Sequence, residues 1–116
     1  MSRQKTSTVP AGPPLTERPL IELGLAGSLA RTFQVLANDS RLRMLHALAR
    51  AEELSVTELA DVIGMKAQAV SNQLTRLIDQ RILAARRDGN RVYYRIADPC
   101  VTRLLELGLC LTDENC

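Results

Sequence analysis

Apolar residues recur at helical spacing along most of the chain and alternate in one stretch. Over about residues 20–37, Leu25, Leu29, Phe33 and Leu36 fall three or four apart, the stripe of an amphipathic helix, although Gly24 and Gly27 weaken its start. Asn38 and Asp39 offer oxygens to cap a second helix over about 40–50, with Leu42, Leu45 and Leu48 directed inward. Ser55, Val56, Thr57 and Glu58 have the form of a capping box, which opens a short helix ending near Ile63, where Gly64 supplies the turn. A fourth helix is predicted from about Ala67 to Asp79, its apolar face made by Val70, Leu74, Leu77 and Ile78. Two runs, 82–87 and 91–96, flank Asp88-Gly89-Asn90. In the second, Val92, Tyr94 and Ile96 alternate with Arg91, Tyr93 and Arg95, the period of a half-buried strand, so the pair predicts a hairpin. Asp98 then caps a closing helix that starts at Pro99 and carries Val101, Leu104, Leu105 and Leu111.

Composition narrows what such a chain can do. With 116 residues, 46% hydrophobic and 24% charged, one soluble core is expected and two are excluded. The first nineteen residues hold four of the five prolines and no long apolar run. They read as a mobile arm, neither signal peptide nor anchor, with Arg3 and Lys5 able to touch phosphates. The folded domain is expected over 20–112, with 113–116 as a tail. One Phe, two Tyr and no Trp leave no platform for stacking single-stranded bases. The lone His46 excludes an all-histidine metal site within one chain and reads as a structural or surface residue. Three cysteines, an odd number, suit a reducing compartment and so the cytoplasm. No base stands paired with a nucleophile and no glycine loop could cradle phosphate, so an enzyme is not expected.

The charge is unevenly spread. Fifteen basic and thirteen acidic residues give +2 overall. Yet residues 66–95 carry Lys66, Arg76, Arg81, Arg86, Arg87, Arg91 and Arg95 against only Asp79 and Asp88. That is the footprint of a polyanion-binding surface. It coincides with the fourth helix, whose face opposite the apolar stripe is Gln68, Ser71, Asn72, Thr75 and Arg76. These groups donate and accept hydrogen bonds, where a merely solvated helix would favour Glu and Lys. Two short helices joined at a glycine make a helix-turn-helix, and a hairpin with Arg86, Arg87 and Arg91 around its tip makes a wing. The expected architecture is therefore mainly α with a β-hairpin, a winged helix-turn-helix in the order ααααββα. Its partner is double-stranded DNA and not a membrane: the arginines contact phosphates, and Gln68, Ser71 and Asn72 reach base edges. Lys66 and Arg76 belong to the same candidate surface. The alternative is a winged-helix module that binds protein.

The segments 36–45 (Leu-Ala-Asn-Asp-Ser-Arg-Leu-Arg-Met-Leu), 53–60 (Glu-Leu-Ser-Val-Thr-Glu-Leu-Ala), 68–74 (Gln-Ala-Val-Ser-Asn-Gln-Leu) and 89–94 (Gly-Asn-Arg-Val-Tyr-Tyr) resemble the ArsR/SmtB metalloregulators. The resemblance spans about residues 28–112. It implies a homodimer formed through the first and last helices, acting as a repressor that releases its operator when a metal or metalloid binds. Both terminal helices here are rich in Leu, which agrees.

The resemblance also directs attention to two places for the inducer. Where many members carry a cysteine pair at the third helix, this chain has Ser55 and Thr57, poor soft-metal ligands. On the closing helix the family pattern is Asp-x-His-x10-His-x2-Glu/His. Asp98 and Glu114 match its ends, Cys100 stands at the first histidine, and Leu111 at the second, with Cys110 one place earlier. Thiols in place of imidazoles favour As(III), Sb(III), Cd(II) or Hg(II) over Zn(II) and Ni(II), with no organic cofactor. The candidate ligands are Cys100, Cys110, Cys116, Asp98 and Glu114. On one helix Cys100 and Cys110 lie about 15 Å apart along the axis, too far to chelate one ion. They combine either across a dimer or, for Cys110 and Cys116, by a fold-back of the tail, as the helix-end thiols of some arsenic-sensing relatives suggest. The same cysteines could instead sense redox state through a disulfide or persulfide.

Overall fold

Asn38, Ser55 and Asp98, the side chains that mark helix starts in the sequence, each accept a backbone N–H at the head of a helix. The structure, a computed structural model, describes residues 12–112. A 3-10 turn at Leu15–Glu17 leads into α1 (Leu23–Leu36) and α2 (Asp39–Ala51), followed by β1 (Leu54–Ser55), α3 (Val56–Ile63) and α4 (Ala67–Asp79). The hairpin strands β2 (Leu83–Asp88) and β3 (Arg91–Ile96) and the closing α5 (Pro99–Thr112) complete the chain. At α2, Asn38 Oδ1 accepts from the Arg41 amide at 3.1 Å. At α3 the capping box is complete. Ser55 Oγ accepts from the Glu58 amide at 3.3 Å, and Glu58 Oε1 from the Ser55 amide at 2.9 Å. Gly64 ends α3 in the left-handed conformation at φ 73°.

The core lies where α2, α3 and α4 meet. Met44, Leu45, Leu48, Leu59, Val70, Leu74 and Leu77 have essentially no solvent contact. Tyr94 and Ile96 of β3, and Val101, Leu104 and Leu105 of α5, pack against its edge. Leu42, expected to face inward, is 38% exposed, while Met44 is fully buried. A residue three positions on lies about 60° back round the helix, so a 42–45–48 row drifts by about 120° and only part of it can face the core. The sheet has three strands, not the two expected, in the order β1-β3-β2. β1 pairs antiparallel with β3, Leu54 opposite Tyr94 and Ser55 opposite Tyr93. Two residues are too short to show an alternation.

The outer helices are unlike the core. Leu36 is the one buried residue of α1, and α5 has none. Leu25 is 60% exposed, Phe33 47% and Leu109 49%. An apolar groove of about 630 Å³ runs between α1, α2 and α5, lined among others by Phe33, Leu42, His46, Leu104 and Leu109. Among the described residues no helix is long and apolar enough to cross a membrane.

Candidate nucleic-acid interface

Three buried side chains on one face of α4, Val70, Leu74 and Leu77, fix which residues point outward. Lys66, at its N-cap, and Gln68, Asn72, Thr75 and Arg76 are exposed, and Ser71 is half-buried. Gln68 Nε2 donates to Asn72 Oδ1 at 3.2 Å, an i,i+4 contact that orders both amides. It leaves the Gln68 oxygen and the Asn72 amino group facing outward, one acceptor and one donor, the complement of an adenine edge. Thr75 Oγ1 donates to the Ser71 carbonyl at 3.2 Å, which draws it onto the helix.

The hairpin beside α4 is registered by a two-residue turn. Asp88 pairs with Arg91, Arg87 with Val92 and Arg86 with Tyr93. Gly89 sits at φ 63°, at the turn position that favours glycine. Directly opposed residues share a face, so Arg86, Arg91 and Arg95 lie on one side of the wing and Arg87 on the other. Arg87 and Arg91 are exposed and make no salt bridge or side-chain hydrogen bond among the described residues. Arg86 differs. Its Nε and Nη2 donate to the two carboxylate oxygens of Glu53 at 2.9 and 2.7 Å, and its Nη1 lies 3.8 Å from Asp88. The guanidinium also rests over the Tyr93 ring, 5.0 Å from its centre. The hydrogen bond from Arg86 holds the Glu53 carboxyl below its usual range, and Glu53 in turn raises Arg86. Arg86 therefore ties β2 across β3 to the approach of β1. No local sequence pattern marks Glu53, whose partner lies 33 positions away; opposite charges flanking strands that pair are the available signal.

Of the candidate ligands, Asp98 immediately precedes α5 and Cys100 and Cys110 lie on it. Asp98 Oδ1 accepts from the Cys100 amide at 2.8 Å, placing carboxylate and thiol together on the first turn. Cys100 is half-buried. Burial, and then the hydrogen bond and charge of Asp98, push its thiol above the usual value, so it stays protonated at neutral pH. Cys110 lies half-buried near the other end of the helix and is disulfide-bonded. Glu114 and Cys116 lie outside the described residues. Among the described residues no three Cys, His, Asp or Glu side chains converge. Asp98 with Cys100 thus offers two donors of the right chemistry, and a complete site needs others.

A profile described as the MarR family matches residues 38–91, the stretch from the cap of α2 to the start of β3. The chain is 44% identical over 85 residues to a transcriptional repressor SmtB homolog of Synechocystis sp., covering 73% of this chain and 64% of that protein. Among solved structures, the antimony-specific transcriptional repressor AntR superposes with a TM-score of 0.80 at 59% identity, over 91% of this chain and 96% of that one. A homodimeric winged helix-turn-helix DNA-binding domain of Mycobacterium bovis, described as a possible ArsR-family regulator, gives 0.72 at 38% identity over 79% and 84%.

Proposed function

The chain belongs to the ArsR/SmtB family of winged-helix transcriptional repressors, and we propose that it acts as a cytoplasmic homodimer that holds operator DNA until a thiophilic ion binds α5. The observation that carries the reading is the outward row of Gln68, Asn72, Thr75 and Arg76 on α4 beside Arg87 and Arg91, wing cations with no salt bridge among the described residues. In this reading Gln68, Ser71 and Asn72 contact base edges, and Lys66, Arg76, Arg87 and Arg91 contact phosphates. Arg86 orients the wing by way of Glu53. Exposed leucines on α1 and α5 form the dimer face, which sets two copies of α4 against one duplex.

For the inducer, Asp98, Cys100, Cys110, Glu114 and Cys116 of the reduced protein supply the donors. As(III), Sb(III), Cd(II) or Hg(II) supplies a soft Lewis acid matched to thiolate. AntR is named as antimony-specific, and antimony falls in that class. Cys100 must give up the proton that burial and Asp98 help it keep, so capture is favoured as pH rises. The disulfide at Cys110 favours a second reading, in which these cysteines respond to oxidation.

A mobility shift on a duplex selected by the protein from a randomised pool tests the proposal. Addition of arsenite, antimonite, Cd(II) or Hg(II) to reduced protein should release the duplex. Release by mild oxidant and by none of these ions would favour the redox reading. Failure to select any duplex would remove the DNA-binding one.

A further inference from the structure

Arg41, in the first turn of α2, joins three elements through one side chain. Its Nη1 donates to the Val35 carbonyl at 2.9 Å, and its Nε donates to Gln73 Oε1 on α4. Val35 belongs to the last turn of α1, where carbonyls have no partner within the helix. Gln73 stands on the flank of α4, between the buried Val70, Leu74 and Leu77 and the outward Gln68, Asn72 and Arg76. A guanidinium only donates, so Gln73 is compelled to turn its oxygen inward. Two residues further along α2, Arg43 Nη1 donates to the carbonyl of Ile63, the last residue of α3, at 2.9 Å. One helix thus grips the ends of α1 and α3 and the middle of α4.

Apolar packing sets which face of α4 is buried but, being non-directional, fixes the finer roll about the helix axis less sharply. A hydrogen bond from a partly buried cation is directional. We propose that Arg41 is a positioning residue for duplex recognition: through Gln73 it sets the roll of α4, and so the aim of Gln68, Ser71 and Asn72, against the end of α1. The inference rests on the DNA-binding reading. It assigns Arg41 no phosphate, because its guanidinium is engaged between Val35 and Gln73.

Fluorescence anisotropy on two duplexes of equal length, one selected by the wild-type protein and one scrambled, separates aim from charge. Arg41→Met and Gln73→Met should each weaken the selected duplex roughly tenfold. The scrambled duplex, held by phosphate contacts, should stay within about twofold. The double variant should be no weaker than Arg41→Met alone, since both substitutions remove the Arg41–Gln73 bond. Gln73→Glu keeps an acceptor and should preserve the ratio between duplexes. Gln73→Met leaves the Val35 bond alone, so a folding defect of Arg41→Met does not decide the result. Equal weakening on both duplexes, additive losses or unchanged discrimination would overturn the inference. Absence of any selected duplex would overturn the underlying reading first.

Discussion

Arg86 and Arg87 are neighbours in sequence with opposite circumstances. Arg86 is matched by the Glu53 carboxylate through two hydrogen bonds, whereas Arg87 extends from the other face of the wing with no salt bridge among the described residues. Counterion release depends on cations that neutralise phosphates, and a guanidinium already paired with a carboxylate contributes little of it. Arg87→Ala should therefore lower the slope of log affinity against log salt by about one per subunit. Arg86→Ala should weaken binding by freeing the wing while leaving the slope nearly unchanged. A titration between low and moderate salt reads both, and a slope change as large for Arg86 as for Arg87 would make Arg86 a phosphate contact after all.

Among the elements, α3 is the one whose start depends most on a single local device. Ser55→Ala removes the oxygen that receives the Glu58 amide and should cost about 1 kcal/mol in chemical unfolding. Hydrogen bonds from Ser55, its backbone amide first, hold the Glu58 carboxyl below its usual range. A depressed carboxyl stabilises the fold fully above its ordinary value and loses that contribution as pH falls through the lowered one. The thermal midpoint of Glu58→Gln should thus sit below that of the parent at neutral pH and converge with it in acid. This box, the α4 stripe and the wing alternation were legible in the sequence because each is written within a dozen residues. β1 was not, being two residues long. Nor were the Arg86–Glu53 and Arg41–Gln73 contacts, which form between residues more than thirty positions apart. At the site, the outward row of α4 could be read from helical period alone. Which wing arginine is already paired, and that Asp98 sits on the Cys100 amide, depend on side-chain directions that spacing does not fix.

At the scale of the molecule, the described chain leaves its two outer helices half covered. Leu25, Leu29 and Phe33 on α1, and Leu107, Leu109 and Leu111 on α5, expose apolar surface beside a groove. A second copy is the cover that the proposed function requires. Leu25→Glu combined with Leu109→Glu should shift sedimentation to the monomer and abolish tight operator binding, since one subunit reaches a single half-site. In the proposed function, α4 and the wing hold DNA and α5 makes them let go. Its most direct test is a titration of arsenite, antimonite, Cd(II) and Hg(II) into the reduced protein–operator complex, run in parallel on the parent and on Cys100→Ser. At least one ion should release the parent, and Cys100→Ser should stay bound at the same concentration. Retention of the parent by every ion, or equal release of both proteins, would contradict the proposed function.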